Sequence, residues 1–305
     1  MPDVGTLVRQ RLADQQQALR DAEAAVRSGQ PGAVHDLRVA MRRLRSLLAT
    51  FRPVFDASVT EPVRSELKAA AGRLGRSRDA EVAADHTDHL LDGADIAGLD
   101  EEAVAGLQAR LRLDAVASED VVDETLASTR YAALTVLLDD LVSDPHLSRK
   151  AQRSARAYAR KRLRREGRRL AERARAARVG ADAVHGSGPR GGAGPSDDHA
   201  ALLHEVRKAA KRLRYGAETA SPVSGRKVRL VRKRAKRVQS LIGQHHDAVM
   251  TRATLRHLAL DEAVGEAAAF LLGHLDADEQ RTMATLEERA WRAVDDLQHA
   301  VDALA

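Results

Sequence analysis

Residues 203–215 read LHEVRKAAKRLRY, and residues 34–45 read VHDLRVAMRRLR. The first stretch carries one histidine, five Arg or Lys and a single acid. Wound at about 100° per residue, each becomes a helix with two opposed stripes. In the earlier stretch His35, Arg38, Arg42, Arg45 and Ser46 fall on one side, and Leu37, Met41, Leu44, Leu48 and Phe51 on the other. In the later one His204, Arg207, Lys211, Arg214 and Tyr215, with Lys208 beside them, oppose Val206, Ala210, Leu213 and Ala217. The apolar stripe is expected to bury within the helix's own bundle. Cations one turn apart repel by about 0.2–0.5 kcal/mol per pair. A chain selected for stability alone would intersperse Glu there, so the stripe predicts an external counter-charge. Arginine suits phosphate oxygens, because its planar fork donates two parallel hydrogen bonds.

The two stretches are copies. His35 aligns with His204, Arg38 with Arg207, Arg42 with Lys211, Arg43 with Arg212 and Arg45 with Arg214, at an offset of 169 residues. Farther on, LGRSRDAEV (74–82) aligns with IGQHHDAVM (242–250) at an offset of 168, pairing Gly75 with Gly243 and Asp79 with Asp247. Two anchors at nearly one offset indicate an internal duplication. Residues 1–145 are expected to form the first copy and 146–305 the second, with the Gly-, Pro- and Ser-rich segment 180–198 as a flexible loop inside the second. The next helix repeats as well. Arg64 matches Arg232 and Lys68 matches Lys236, and Arg229 extends that row by a turn.

Composition sets the fold class. Of 305 residues 44% are hydrophobic but only 2% aromatic, so the core must be Leu, Val and Ala, which favours helix on helix. Helices are predicted over 4–28, 34–51, 60–75, 79–92, 100–127, 129–143, 148–178, 199–220, 224–242, 247–260 and 262–302. Asp79 and Asp247 are expected to cap the helices that begin with them. Cysteine is absent, which excludes disulfides and thiolate metal sites. No basic leader precedes an apolar run, and no segment approaches the roughly 18 apolar residues of a membrane span, so a soluble cytoplasmic protein is expected. The formal charge is +6, and its distribution matters more than its size. Acids gather in 92–124, whereas RKVRLVRKRAKR (226–237) has none. Such segregation points to a polyanionic partner.

The doubled motif resembles a known family. His-x-x-Arg-x-x-x-Arg-Arg-x-Arg at 35–45 and His-x-x-Arg-Lys-x-x-Lys-Arg-Leu-Arg-Tyr at 204–215 resemble the CHAD (conserved histidine α-helical) domain. The Leu-Gly-x-x-Arg-Asp turn at 74–79 and its partner at 242–247 support this, and the resemblance covers essentially the whole chain. It implies an all-α fold of two tandem four-helix bundles related by pseudo-two-fold symmetry, with the basic faces meeting in a central groove or pore. It also implies binding of inorganic polyphosphate and association with polyphosphate granules. The departures are His246 in place of the first copy's Arg78, and the segment 180–198, which looks like an insertion.

The residues agree with a ligand of dense charge and no bases. Single-stranded nucleic-acid binders add stacking platforms, and this chain has one Trp, three Tyr and three Phe. Two other functions stay open: a nucleic-acid-binding module, and a metal-dependent hydrolase of polyphosphate or phosphate esters. Hydrolysis would require acids to hold Mg²⁺, and the basic stripe has almost none. His245-His246-Asp247 is not expected to bind metal, since adjacent histidines point to different helix faces. A binding protein without catalysis, cofactor or metal is the expectation.

Overall fold

Asp3 opens the first helix by accepting a hydrogen bond from the Thr6 amide at 2.7 Å. Gly29 closes it in the left-handed region (φ 69°), where a side chain would be strained. There the Gln30 amide reaches back to the Ala25 carbonyl at 3.0 Å and the Gly29 amide to Val26 at 2.9 Å, a Schellman closure. The computed structural model describes residues 2–93, 119–185, 197–260 and 266–304. Its helices are α1 (Val4–Arg27), α2 (Ala33–Thr50), α3 (Ala57–Gly93), α4 (Glu119–Ala127), α5 (Thr129–Ser143), α6 (Ala155–His185), α7 (Asp197–Ala220), α8 (Arg226–Ala259) and α9 (Glu266–Asp302). Among the described residues every regular element is helical, so the fold is all-α. None of these helices is long and apolar enough to cross a membrane.

The apolar stripes build two separate cores. Leu37, Met41, Leu44 and Leu48 of α2 join α1, α3 and α5 in one cluster, which runs on to Tyr158. Val206, Ala210, Leu213 and Ala217 of α7 join α6, α8 and α9 in the other. The duplication repeats at the level of turns. Both α2 and α7 end in a single 3₁₀ turn, Arg52–Val54 and Ser221–Val223, carrying Pro53 and Pro222 at equivalent positions.

Two expectations about helix ends fail. The stretches 74–79 and 242–247 are not turns: α3 runs unbroken to Gly93, and α8 passes through Gly243 to Ala259. Asp79 and Asp247 therefore lie inside helices and start none. A mid-helix glycine is tolerated at about 1 kcal/mol relative to alanine, and here it serves close approach rather than chain reversal. The basic helix expected from 148 begins at Ala155, after a 3₁₀ turn at Arg149–Gln152. It continues to His185, so the ends of the segment 180–198 are helical. The remainder of that segment, residues 100–118 of a predicted helix and most of the acidic run 92–124 lie outside the described residues.

The copies touch through like elements: α1 meets α6, α2 meets α7 and α3 meets α8. At their starts the exchange is reciprocal. The Val4 amide donates to the Arg153 carbonyl at 2.9 Å, and the Ala155 amide donates to the Pro2 carbonyl at 3.2 Å.

Within the second core, α6 and α9 approach at Gly167, where a Cβ would collide with the Val301 side chain. Gly72, on the exposed side of α3, faces open space. Gly167→Ala should lower unfolding free energy by about 1–3 kcal/mol through overpacking. Gly72→Ala should raise it by about 1 kcal/mol through helix propensity. Urea titration followed by circular dichroism measures both.

Candidate functional site

Because each apolar stripe turns into its own core, the cationic stripes of α2 and α7 turn toward each other. Arg42 Nε donates to the Tyr215 hydroxyl across the joint at 3.0 Å. Lys211 sits among Arg207, Arg42, Arg38 and Lys208. Its burial, and then those four charges, push its ammonium pKa down to about 7. Arg45 is lowered from the usual guanidinium range by burial first, and then by Arg64, Arg42 and Arg212. His204 is lowered by burial, then by Lys208, His246, Lys211 and Arg207. These mutual effects define one cationic seam between the copies.

The glycines of the paired Leu-Gly and Ile-Gly motifs make room for it. A Cβ on Gly75 would stand 3.3 Å from Arg38 Nη2, and one on Gly243 would stand 3.0 Å from Arg207 Nη2. In both copies the same arginine leans over the same bare stretch of the neighbouring helix.

Of the residues expected to bind anions, Arg38, Arg42, Arg45, Arg64, Arg207 and Lys211 come together, with His204 and Lys208 beside them. Arg214 is turned aside: its Nη1 donates to Gln239 at 2.8 Å and its guanidinium lies 5.2 Å from the Tyr215 ring centre. His35 is exposed on the first turn of α2. Lys68, Arg229, Arg232 and Lys236 are exposed on α3 and α8 and enter none of the seam contacts among the described residues. Sequence reasoning left out Arg52, Arg212 and the α6 arginines Arg162, Arg165 and Arg169, which line a cavity of about 310 Å³ at one end of the seam. Alignment with Arg43 was the available signal for Arg212. On α6 the arginines occupy every side, so no stripe singles out three of them.

The CHAD domain family model matches residues 10–256. The chain belongs to the CHAD domain family. It is 30% identical over 307 residues to two uncharacterized proteins from strains of Mycobacterium tuberculosis, MT2285 and Rv2226, covering 96% of this chain and 53% of each relative. It thus spans about half the length of the curated relatives it matches. Among solved structures it is similar to PptA from Streptomyces chartreusis, with a TM-score of 0.71 and 21% identity over 95% of this chain and 99% of the other. It is also similar to the CHAD domain from the plant Ricinus communis, with a TM-score of 0.68 and 23% identity over 100% and 93% of the two chains. At these identities the structures establish the shared fold.

In this CHAD domain the adjacent histidines 245 and 246 part company. The His246 ring lies 6.0 Å from that of His204. His245, 3% exposed, turns into the second core, with Nε2 3.9 Å from Glu287. Glu287 also pairs with His199 at 2.9 Å and accepts from Trp291 Nε1 at 3.1 Å. The cluster joins α7, α8 and α9. Burial lowers the His245 pKa, and the Glu287 carboxylate only partly opposes this. The unfolded chain therefore binds the proton more readily, and the contribution of His245 is lost as pH falls below the usual imidazole value of 6.5. Unfolding free energy should fall as pH drops from 6.5 toward 5, and His245→Gln should flatten that slope in denaturant titrations at stepped pH.

Proposed function

We propose that this CHAD domain binds inorganic polyphosphate in the seam, without hydrolysing it. On this reading two helical bundles, residues 1–145 and 146–305, are related by a pseudo-two-fold axis, and the groove between them is the site. Contact of α1, α2 and α3 each with its own counterpart supports the axis, because only elements on or near a two-fold meet their own copies. The observation that carries the function is the confinement of Lys211 with Arg38, Arg42 and Arg207 on facing helices. Such a cluster is relieved by a linear polyanion. The neighbouring carboxylates are already engaged: Glu61 by Arg52 and Arg64, Glu205 by Lys208 and Glu218 by Arg43. That supports binding over metal-assisted hydrolysis. A cytoplasmic setting, with polyphosphate granules as the place of encounter, follows from the ligand.

Isothermal calorimetry with long-chain polyphosphate tests this reading. Replacing Arg38 and Arg42 together by Glu should weaken binding by about 100-fold or more, since charge-assisted contacts contribute about 1.5–3 kcal/mol each. Arg175→Glu, on an exposed part of α6 outside the seam, should change it by less than about threefold. Arg178 makes a poor control, because it pairs with Asp295 at 2.8 Å and covers Trp291 at 5.0 Å. Affinity should fall log-linearly with salt. Single-stranded DNA at matched phosphate concentration should compete poorly. Equal competition, or equal loss in the seam and control variants, would mean nonspecific attraction to any phosphate backbone.

Lys211 supplies a pH signature. Its pKa of about 7 in the free protein should rise toward the ordinary 10.5 beside phosphate. Binding then takes up a proton between those values, and affinity falls as pH rises through them. Lys211→Met should flatten this dependence and abolish the proton uptake seen in buffers of different ionisation enthalpy.

A further inference from the structure

The seam ends differently at its two mouths, although equivalent positions build both. Arg162 and Glu166 lie 151 residues after Arg11 and Gln15. Arg212 lies 169 after Arg43, and Thr219 lies 169 after Thr50. One mouth, bounded by Arg11, Gln15, Arg43, Leu47, Tyr215 and Glu218, encloses only about 30 Å³. Tyr215 is 3% exposed there and its hydroxyl holds Arg42, while Glu218 neutralises Arg43 at 3.2 Å. At the other mouth the counterparts of Leu47, Tyr215 and Glu218 are Gly216, Ser46 and Ala49. Tyr215 and Glu218 thus give way to small residues, Glu166 stands in place of Gln15, and a cavity of about 310 Å³ opens, with Arg52, Arg64, Arg162, Arg165, Arg169 and Arg212 in its lining.

This open mouth is prearranged. Arg162, 8% exposed, donates Nε to the Thr50 carbonyl at 2.7 Å, which anchors it to the end of α2. Glu166, 3% exposed, holds Arg169 at 2.9 Å and stands 3.6 Å from Arg162. Glu61 holds Arg64 at 2.7 Å and Arg52 at 3.0 Å. Two carboxylates thus orient four guanidiniums and leave the mouth strongly positive. Arg165 and Arg212 form no ion pair among the described residues. Arg64 and Arg212, which line the cavity, also act on Arg45 of the seam.

We propose that the open mouth is an end site, holding the terminal phosphoryl groups of an oligophosphate. Polyphosphate would then be gripped end-on, running from this mouth along the seam toward the mouth closed by Tyr215. A cavity at the small end of ligand pockets admits a few linked phosphoryl groups. A terminal phosphoryl group, with about −1.5 to −2 charge, is more highly charged than an internal unit and offers more oxygens to arginine forks. The long-chain part of this inference rests on the function proposed above; the cavity's affinity for short oligophosphates does not.

The experiment uses calorimetry with tripolyphosphate, and with long-chain polyphosphate whose ends are either free or capped as phosphoramidates. Arg165→Gln removes one exposed guanidinium from the cavity. Arg175→Gln makes the same charge change at an exposed position of α6 away from the cavity, and melting temperature confirms that both variants fold. Tripolyphosphate should bind one to one, about tenfold or more weaker in Arg165→Gln and within about twofold of wild type in Arg175→Gln. Capping should weaken the long chain in the wild type and have little further effect in Arg165→Gln. Failure of tripolyphosphate to bind, matching losses in the two variants, or indifference to capping would each overturn the end site, even where long-chain binding persists. If tripolyphosphate binds through Arg165 but long chains do not bind, the mouth is a site for free oligophosphates and the polyphosphate reading falls.

Discussion

Like charges pressed together between α2 and α7 are the constraint around which this CHAD domain is arranged. Arg38, Arg42, Arg207 and Lys211 would drive the copies apart if their helices met only through them. Opposing forces come from elsewhere. Each helix is anchored from behind by residues with no exposed surface, such as Leu37 and Leu44 in one core and Val206 and Leu213 in the other. The flanking contacts of α1 with α6 and of α3 with α8 hold the joint closed. The bond from Arg42 to Tyr215 spans it with a neutral acceptor, which shortens the gap without cancelling charge. A bound polyanion would therefore stabilise the folded state, both by mass action and by relieving repulsion already present.

The glycines at 75 and 243 express the same trade. Alanine at either position would favour the helix by about 1 kcal/mol. It would also press on Arg38 or Arg207 at the distance where a guanidinium has to move. The local cost is kept in α3 and α8, and the arginines keep their place.

Much of this was legible in the sequence, for physical reasons. Amphipathic stripes state which side of a helix is buried, so α2 and α7, their opposed faces and six seam cations could be read directly. Repetition at one offset pointed to an internal duplication. Glycine is ambiguous, because one residue type serves both chain reversal and close approach. In sequence Gly75 and Gly243 therefore read as turns and Asp79 and Asp247 as caps, where α3 and α8 run straight through. Tyr215 was placed correctly on the basic stripe, but its bond to Arg42 depends on how two copies dock, which periodicity does not encode. The cavity arginines of α6 were hidden by abundance. On a helix with cations on every side, only packing selects Arg162, Arg165 and Arg169.

The reciprocal exchange between Pro2, Val4, Arg153 and Ala155 bears on how the chain is made. Most helix contacts join neighbours in sequence, α1 with α2, α6 with α7, α8 with α9, and such local pairs form early. The exchange instead closes a loop of about 150 residues, whose entropy has to be met before its two hydrogen bonds form. At ribosomal rates of roughly 5–20 residues per second, the first copy waits for roughly 10–30 s before its partner segment exists. During that interval α2 presents Arg38, Arg42 and Arg45 without α7 opposite them. Docking of the second copy then sets α7 opposite these cations.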